Sequence, residues 1–405
     1  MTTTTSTSVD DVQVADIYKS GRRAAQLLRY RHGTEFQYLS EYLANGVAIA
    51  RTLPLTDAVL KFPPGSVPPF FAGLLPEGRR LSVLRQMVKT SADDELSLIL
   101  AVGQDPVGDV QVVREGHAPR QTRALVTVQK SFSEVNFSDI LNQVGVVDRT
   151  GIAGVQDKAS ARMISVPIAR AGERFILKVD PPEYPFAVDN EYFFLNLARA
   201  SGIRTVDAQM VSDAGGRQGL LVRRFDRVAQ PDGSSQSLAC EDASQLLNRW
   251  PADKYNVTSE EVVAAVAAVC PASPVAIRDV FRQLCFAWLT GNGDVHAKNI
   301  SVLAEPDGEY RVSPAYDLPS TVVYGDLTMA LSLQGRTEGI SRARLLDFAA
   351  AIGLASKAAQ RVLDDLLEST KDLPGDLLGG ALPFDQEKTR EWVQRLTYRR
   401  RQLTA

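Results

Sequence analysis

Apolar side chains recur at helical spacing through much of the second half of the chain. This pattern predicts helices over residues 259–269, 275–290, 341–352, 358–368 and 386–400. The first half instead carries short strand-like runs bounded by turn residues. Strands first and helices later predict a β-rich lobe followed by an α-rich lobe.

A hairpin and a helix are predicted in the middle of the chain. Two strand-like runs, 161–168 and 174–179, flank a turn that contains Gly172. Asp189 then stands where it can N-cap a helix, and Gly202 occupies the C-terminal cap position. The sequence therefore predicts a hairpin followed by a helix in this region.

Changes of pattern divide the chain into four segments. The Thr/Ser-rich start has no apolar side chain beyond Met1 to offset the entropy of ordering, so we expect it to be disordered. A mixed unit follows, and its apolar spacing suits a helix over 70–88. The predicted segments are a disordered tail at 1–8, an N-terminal subdomain at 9–120, a β-rich lobe at 121–240 and an α-helical lobe at 241–405.

Composition excludes several classes of protein. The chain has 405 residues with 44% hydrophobic and 23% charged side chains, which is typical of globular proteins. Its net charge of -3 gives no general attraction to nucleic acid or anionic membranes. No signal-like start or membrane-length apolar run is present, so we expect a cytoplasmic protein. Three cysteines without CxxC spacing and three histidines argue against a disulfide framework, a zinc site or a multi-histidine metal centre.

The most informative chemistry lies between residues 281 and 318. A polar loop at 292–299 precedes two strand-like runs, 300–303 and 310–314, joined by the turn signal EPDG. Such a hairpin folds back on itself, so the residue before its first strand approaches the residue after its second. We therefore expect Asn299 and Asp317 to be neighbours.

The spacing of Asp294 and Asn299 is that of a kinase catalytic loop. In the D-x-x-x-x-N pattern the Asp orients a substrate hydroxyl and accepts its proton, while the Asn holds magnesium. Asp317 stands where a second metal-binding carboxylate belongs. These hard oxygen ligands suit Mg²⁺ bridging the phosphates of ATP.

Phosphoryl transfer also needs a cation and backbone amides for the nucleotide phosphates. Lys178, at the end of the strand RFILK, supplies the cation, and the loop at 151–158 precedes its hairpin. Two glycines at this spacing are a weak signal, since a turn without a ligand is common. Glu191 either pairs with Lys178 or is an ordinary acid near a helix N-terminus. Between the lobes, backbone groups at 240–243 are candidates for hydrogen bonds to adenine, although position alone does not establish this.

Other polar residues have two readings each. His296 and Lys298 are both candidates for phosphate contact. His296 has the alternative role of bracing the loop. The C-terminal arginines, Arg395, Arg399, Arg400 and Arg401, either form a solvated helix end or contact DNA phosphate in a complex.

Taken together, the motifs resemble those of the HipA toxin kinases of bacterial toxin–antitoxin systems. The matching segments, in family order, are LLPEGRR (74–80), GIAGVQDK (151–158), FILKVDPPEYP (175–185), NEYFFLNLARASGI (190–203), LLVRRFDR (220–227), ED (241–242) with KY (254–255), GNGDVHAKN (291–299) and SPAYDL (313–318). They cover most of residues 12–320. The loop with its downstream YDL is highly specific, although lipid kinases and spore-coat kinases share a related loop.

The resemblance implies an α+β, two-lobed protein-kinase-like fold and ATP/Mg²⁺-dependent serine/threonine protein kinase activity. It implies catalytic roles for Asp294, as proton acceptor, and Lys178, and metal ligation by Asn299 and Asp317. The nucleotide contacts it implies are Ala153, Gly154, Val155, Gln156, Asp157, Lys158, Lys178, Glu241, Asp242, Ala243, His296, Ala297, Lys298, Asn299, Tyr316 and Asp317.

The resemblance also implies partners. Known family members phosphorylate an aminoacyl-tRNA synthetase, glutamyl-tRNA synthetase in the best-known case, and so stop translation. They are neutralised by HipB, a helix-turn-helix antitoxin that binds operator DNA. We therefore expect a HipB-like antitoxin, a protein substrate of this class, and operator DNA reached through the antitoxin complex, with growth arrest or persistence as the outcome and no membrane contact.

Two departures from the family pattern are visible. The serine that members often autophosphorylate corresponds to Gly151, with Thr150 adjacent, so serine autophosphorylation is in doubt here. Cys240 stands where glutamine is common. The alternatives to a protein kinase are a nucleotide-binding pseudokinase that acts with HipB as a scaffold or corepressor, and a small-molecule kinase.

Overall fold

The structure, a computed structural model, describes residues 13–30, 33–89, 94–119, 126–127, 131–143, 163–170, 173–230 and 234–404. Four of the features discussed above lie outside the described residues: the predicted tail at 1–8, the Thr150–Gly151 pair, the loop at 151–158 and the Gly172 turn.

Strands and helices alternate in the first half of the chain, and helices dominate the second. The strands are β1 (Val14–Lys19), β2 (Arg22–Tyr30), β3 (Gly33–Tyr38), β4 (Leu60–Phe62), β5 (Val110–Arg114), β6 (Val126–Thr127), β7 (Ile164–Arg170), β8 (Glu173–Val179), β9 (Ala208–Ser212), β10 (Gln218–Arg223), β11 (Arg227–Ala229), β12 (Ser235–Ser237), β13 (Cys240–Asp242), β14 (Ser301–Ala304) and β15 (Tyr310–Val312). The helices are α1 (Ser40–Leu43), α2 (Pro69–Gly73), α3 (Gly78–Val88), α4 (Glu95–Val102), α5 (Phe137–Gln143), α6 (Ala187–Ala200), α7 (Ala243–Leu246), α8 (Ser259–Val269), α9 (Ser273–Thr290), α10 (Arg342–Ala351), α11 (Ser356–Ser369), α12 (Leu373–Leu378) and α13 (Gln386–Thr404).

The N-terminal subdomain is built on an antiparallel sheet in the order β4-β3-β2-β1-β5. One face of this sheet packs against α2 and α4 and buries a core of its own, because apolar side chains alternate with polar ones along the strands. Members of that core include Ile17, Leu27, Phe36, Phe71, Ile99 and Val112.

The β-rich lobe is a second sheet, in the order β6-β7-β8-β10-β9. The β7–β8 hairpin was predicted, and its strands pair with Val166 opposite Leu177. Helix α6 packs across this sheet and starts earlier than predicted, so Asp189 as N-cap is wrong. Instead the carboxylate of Asp180, just after β8, accepts hydrogen bonds from the amides of Phe186 and Val188 (2.9 and 2.8 Å), which satisfies the helix start.

The α-rich lobe surrounds helix α9, which is buried along most of its length and packs against α8, α11 and α13. A small antiparallel sheet, β13-β14-β15, lies at the junction with the β-rich lobe. All three cysteines are buried and unpaired, as expected for core residues. Among the described helices, none is long and apolar enough to cross a bilayer.

One further local prediction is wrong, and one strand was not predicted. The helix expected over 70–88 is two helices, α2 and α3, because Pro76 lacks an amide proton and the chain turns at Leu74–Glu77. No strand was predicted at β13, because it is too short and polar to show an alternating pattern. It pairs with β14, which is distant in the sequence, with Glu241 opposite Val302.

A buried charge network joins the N-terminal subdomain to the β-rich lobe. The carboxylate of Asp226 lies 2.8 Å from the guanidinium of Arg224 and 2.6 Å from that of Arg227. Both arginines also contact Asp105 of the N-terminal subdomain, at 3.0 and 2.7 Å. Burial alone would raise the pKa of Asp226, but the two guanidinium groups hold it at about 2. The amide of Gly108 donates a further hydrogen bond to Asp226 (2.9 Å).

Replacing Asp226 with asparagine should lower the free energy of unfolding by about 3 kcal/mol, because two buried guanidinium groups lose a shared counter-ion. Urea denaturation of both proteins measures this difference. The pKa of Asp226 is depressed in the folded state, so its contribution is complete above its unfolded pKa of about 4 and is lost as the pH falls towards 2. The gap between wild type and Asp226→Asn should therefore shrink below pH 4.

The control is Asp307→Asn, whose side chain forms an exposed ion pair with Arg311. Solvent screens that pair, so the free energy of unfolding should be nearly unchanged. Equal losses in the two variants would contradict the network's role.

Candidate active site

The polar loop 292–299 starts at a turn that glycine permits. Helix α9 ends at Gly291, which has a φ of +75°, a left-handed conformation that favours glycine. A Cβ at this position would lie 2.6 Å from Cγ2 of Val322, so a side chain would also clash. The carbonyl of Gly291 accepts a hydrogen bond from the amide of Thr321 (2.8 Å), which fixes the loop against the segment after β15.

Asp294 is buried and held from two sides. Its Oδ1 accepts a hydrogen bond from the hydroxyl of Tyr255 (2.9 Å), and its amide donates to Oδ1 of Asn292 (2.9 Å). The Nδ2 of Asn292 in turn donates to the carbonyl of Asp317 (3.2 Å). This chain of bonds fixes Asp294 relative to the second carboxylate of the site.

The predicted closeness of Asn299 and Asp317 is confirmed. The Nδ2 of Asn299 lies 3.4 Å from Oδ2 of Asp317. The β14–β15 hairpin brings them together, with Val302 opposite Val312. The Oδ1 of Asn299 accepts a hydrogen bond from the amide of His296 (3.1 Å), which orients the side-chain amide.

Lys178 joins the two lobes electrostatically. Its ammonium donates to both carboxylate oxygens of Glu191, at 2.7 and 2.9 Å, so the pairing considered from the sequence is confirmed. The same ammonium contacts Oδ1 of Asp317. Side-chain exposure is 9% for Lys178 and 1% for Glu191, against 31% for Asp317, so Asp317 is the most accessible member.

Burial and neighbouring charges shift the pKa values of Glu191 and Lys178. Desolvation raises the pKa of Glu191, while the Lys178 ammonium opposes that change. Desolvation would lower the pKa of Lys178, but the carboxylates of Asp317 and Glu191 outweigh it and raise that pKa. Lys178 therefore stays charged at neutral pH and can attract anionic groups.

Asp317 has a strained backbone. Its φ is +54°, which is uncommon for a residue with a Cβ and costs about 1–3 kcal/mol. The contacts with Lys178 and Asn299 hold it there. Strain of this kind is concentrated at functional sites, which agrees with the place predicted for Asp317.

The side chains of His296 and Lys298 are engaged inside the protein. The Lys298 ammonium donates to the carbonyl of Gly73 (3.0 Å) and lies 2.9 Å from Glu77. His296 packs edge-on against the ring of Tyr255, and burial lowers its pKa to about 3, so it is neutral. This geometry favours a bracing role for both side chains. Their nucleotide contacts, with that of Ala297, stay predictions.

The predicted adenine-binding segment is strand β13 and the start of α7. The carboxylate of Glu241 accepts hydrogen bonds from the amide of Arg51 (3.1 and 3.2 Å), and burial raises its pKa to about 7. Asp242 caps α7 through the amide of Gln245 (2.9 Å). These side chains are thus used within the protein. The backbone amides of Asp242 and Ala243 are used as well, since they donate to Oε1 of Gln245 (2.8 Å) and to the carbonyl of Ile300 (2.9 Å). The adenine contacts of Glu241, Asp242 and Ala243 stay predictions.

Tyr316 lies among residues of the loop, of β14 and of the β-rich lobe. Its hydroxyl donates to the carbonyl of Lys298 (2.6 Å) and lies 2.6 Å from Oγ of Ser301. Its ring stacks on Phe225, with centroids 5.6 Å apart. Tyr316 therefore ties the catalytic loop to the junction between the lobes.

Sequence reasoning missed some residues that shape the site. Tyr255 and Glu77 stood within matching motifs, yet no role was assigned to them. Asn292 belongs to the loop motif itself, and its position two residues before Asp294 was the available signal.

The C-terminal arginines divide into two pairs. Arg399 is buried, donates to the carbonyl of Trp288 (2.9 Å) and lies over its ring. Arg400 donates to the carbonyl of Leu367 (2.5 Å). Both serve the fold, which speaks against their contacting DNA, whereas Arg395 and Arg401 are exposed.

Comparison with known proteins covers most of the chain. The HipA N-terminal domain model matches residues 15–113, and the HipA-like C-terminal domain model matches residues 150–373. The "Putative kinase Y4dM" of Sinorhizobium fredii is 30% identical over 85% of this chain and 87% of its own. The "Serine/threonine-protein kinase toxin HipA" of Shewanella oneidensis is 26% identical over 73% of this chain and 72% of its own.

A solved structure has the same fold. The HipA chain in the "Shewanella oneidensis MR-1 Toxin Antitoxin System HipA, HipB and its operator DNA complex" superposes with a TM-score of 0.75 at 19% identity, covering 96% of this chain and 97% of that one. The predicted α+β, two-lobed kinase-like fold is thereby confirmed.

Replacing Gly293 with alanine should lower the free energy of unfolding by about 1–3 kcal/mol through overpacking. The added Cβ would lie 2.3 Å from the carbonyl oxygen of Thr328, a backbone atom that cannot swing away. Thermal or urea unfolding measures the loss. Gly375→Ala, in helix α12 with no heavy atom within 4 Å, is the control and should be neutral or stabilising. A neutral Gly293→Ala would show that this loop packs less tightly than described.

Proposed function

The chain belongs to the HipA family of toxin kinases, and on that premise we propose that it is an ATP- and Mg²⁺-dependent serine/threonine protein kinase. The observation that carries the proposal is the meeting of Lys178, Glu191, Asn299 and Asp317 beside the loop of Asp294. These are the residue types that phosphoryl transfer requires for phosphate, metal and substrate hydroxyl.

In this proposal Lys178 holds the nucleotide phosphates. Its ammonium is charged and is fixed by Glu191, so its direction is set before a nucleotide binds. A preorganised cation of this kind stabilises charge that moves during transfer without a reorganisation cost. The loop Ala153–Lys158 would add backbone amides, and Glu241–Ala243 and His296–Lys298 with Tyr316 would complete the nucleotide site.

The donor set fits Mg²⁺. Asp317 offers carboxylate oxygens, and Asn299 would offer its amide oxygen after a rotation of the side-chain amide, because Nδ2 faces Asp317 and Oδ1 accepts from the amide of His296. Mg²⁺ in kinases takes one or two such ligands together with phosphate oxygens. The ion would supply positive charge between the phosphates. Since Asp317 also contacts Lys178, the metal would share that carboxylate with the ammonium.

Asp294 would act on the protein substrate. Its carboxylate would orient a serine or threonine hydroxyl and accept its proton, while the hydroxyl oxygen bonds to the γ-phosphorus and ADP leaves. Tyr255 and Asn292 keep Asp294 in one orientation, which suits a positioned base.

The proposal extends to partners. The structure with the same fold is named as a complex of HipA with HipB and operator DNA, which supports a HipB-like helix-turn-helix antitoxin and operator DNA as partners here. We propose a cytoplasmic protein substrate, an aminoacyl-tRNA synthetase such as glutamyl-tRNA synthetase, whose phosphorylation stops growth or causes persistence.

Replacing Asp294 with alanine should lower the rate of γ-phosphoryl transfer by about 10²- to 10⁴-fold, because the substrate hydroxyl loses its proton acceptor. The assay combines γ-labelled ATP, Mg²⁺ and host lysate, and identifies the labelled protein. Asp307→Ala, in the exposed turn between β14 and β15, should keep the wild-type rate.

The same assay separates the alternatives. Wild-type rates with Asp294→Ala would make the assignment of Asp294 wrong. Label on a metabolite but on no protein would select a small-molecule kinase. Stabilisation by nucleotide without any transfer would select a pseudokinase that acts with the antitoxin.

Replacing Asp317 with asparagine should abolish most of the Mg²⁺-dependent stabilisation by ATP, because a neutral amide binds the ion weakly. At a ligand concentration about 100 times Kd, bound MgATP stabilises wild type by about 2.7 kcal/mol, which raises Tm. Thermal unfolding with ATP, with and without EDTA, measures this effect. Asp376→Asn, at an exposed position of α12, is the control and should keep the wild-type response. An unchanged Mg²⁺ response in Asp317→Asn would remove Asp317 from the metal site.

A further inference from the structure

Glu77 belongs to the N-terminal subdomain, but its carboxylate contacts two lysines of the α-rich lobe. Glu77 is the residue before helix α3, yet its side chain makes no hydrogen bond to that helix. Instead Oε2 accepts a hydrogen bond from the Lys254 ammonium (2.5 Å), and Oε1 lies 2.9 Å from the Lys298 ammonium. The LLPEGRR motif thus reaches residues of the proposed catalytic apparatus.

Lys254 lies next to a residue that contacts Asp294, and Lys298 lies next to Asn299. Lys254 precedes Tyr255, whose hydroxyl bonds Asp294, and the carbonyl of Lys254 accepts from the amide of Ala297 (3.3 Å). Lys298 belongs to the short 3₁₀ turn that ends at Asn299. One carboxylate therefore holds the two segments that position the base and the metal ligand.

The charges explain why this contact is strong. The side chains of Lys254 and Lys298 are each 11% exposed, so water screens them little, and Glu77 lies between them. Burial alone would raise the pKa of Glu77, but Lys298 and Lys254 hold it at about 2. Without the carboxylate, Lys254 would lose its ion pair, and Lys298 would keep only the carbonyl of Gly73 and the charge of Asp242.

The position of Glu77 is fixed by the packing of the helices before and after it. Helix α2, just before it, packs on α7, where Nε2 of Gln245 donates to the carbonyl of Phe70 (2.8 Å). Gly73 allows this approach, since a Cβ there would lie 2.8 Å from Cγ of Gln245. Helix α3, just after it, contacts strand β7 of the other lobe. Glu77 is thus supported from both sides.

We propose that Glu77 is a positioning residue for phosphoryl transfer: it sets the place of Asp294 through Lys254 and Tyr255, and that of Asn299 through Lys298. This inference rests on the proposed kinase function. It gives the N-terminal subdomain a direct part in the reaction, because that subdomain supplies the counter-ion of the catalytic loop.

Glu77→Gln should lower kcat by about ten- to a hundredfold, since a misplacement of about 1 Å has that effect, with a smaller change in KM for ATP. The matched control is Glu35→Gln, which breaks a Lys–Glu pair with Lys61 on the sheet of the same subdomain and should keep the wild-type kcat. Asp226→Asn is a second control, because it loosens the same subdomain at another contact.

A double-mutant cycle separates positioning from general docking. If Glu77 acts through Tyr255, then Glu77→Gln and Tyr255→Phe should be strongly non-additive in kcat, whereas Asp226→Asn and Tyr255→Phe should add. Additive effects in both cycles, or the same loss of kcat in Glu77→Gln and Asp226→Asn, would overturn the proposal.

A second measurement does not need kinase activity. Hydrogen exchange of the peptide 291–300 should be faster in Glu77→Gln than in wild type, and unchanged in Glu35→Gln. Unchanged exchange in Glu77→Gln would overturn the positioning role even if wild type is active. If wild type transfers no phosphate but exchange rises as expected, the kinase proposal fails while the contact of Glu77 with the loop is upheld.

Discussion

The site depends on one buried cation, the Lys178 ammonium, held between Glu191 of the β-rich lobe and Asp317 of the α-rich lobe. A buried lysine ammonium is stable only with anionic partners, and here the two carboxylates come from different lobes. The same contacts hold Asp317 in its left-handed backbone conformation. The contact between the lobes at this point and the backbone conformation of Asp317 thus depend on one charge.

Much of this site could be predicted because its geometry is local. Asp294, Asn299 and Asp317 fall within one helix–loop–hairpin segment, and a hairpin with a recognisable turn returns its ends to the same place. The pair of Lys178 with Glu191 follows in the same way, since a strand leads straight into the helix that carries Glu191. These contacts could be predicted because their residues lie close together in the sequence.

The contacts that escaped prediction join distant segments. Tyr255 reaches Asp294 across 39 residues, and Glu77 reaches Lys254 across 177, so neither spacing nor periodicity signals them. The wrong predictions of helix boundaries had a different cause, because two features of the same segment predicted different structures. Asp180 and Asp189 are both suitable caps, and tertiary packing decided for Asp180. The prediction of one helix over 70–88 followed the apolar spacing, although Pro76, which lies between α2 and α3, favours a break.

The division of buried charges between segments has a consequence for evolution. Two family models describe this chain, which suggests modules that can be exchanged, but Glu77 and Asp105 supply counter-ions to lysines and arginines that the other part carries. In a chimaera with a foreign N-terminal part, those lysines and arginines would lack counter-ions unless the foreign part carried equivalent acidic residues. Recombination at this junction is therefore costly, and the two parts are expected to be inherited together.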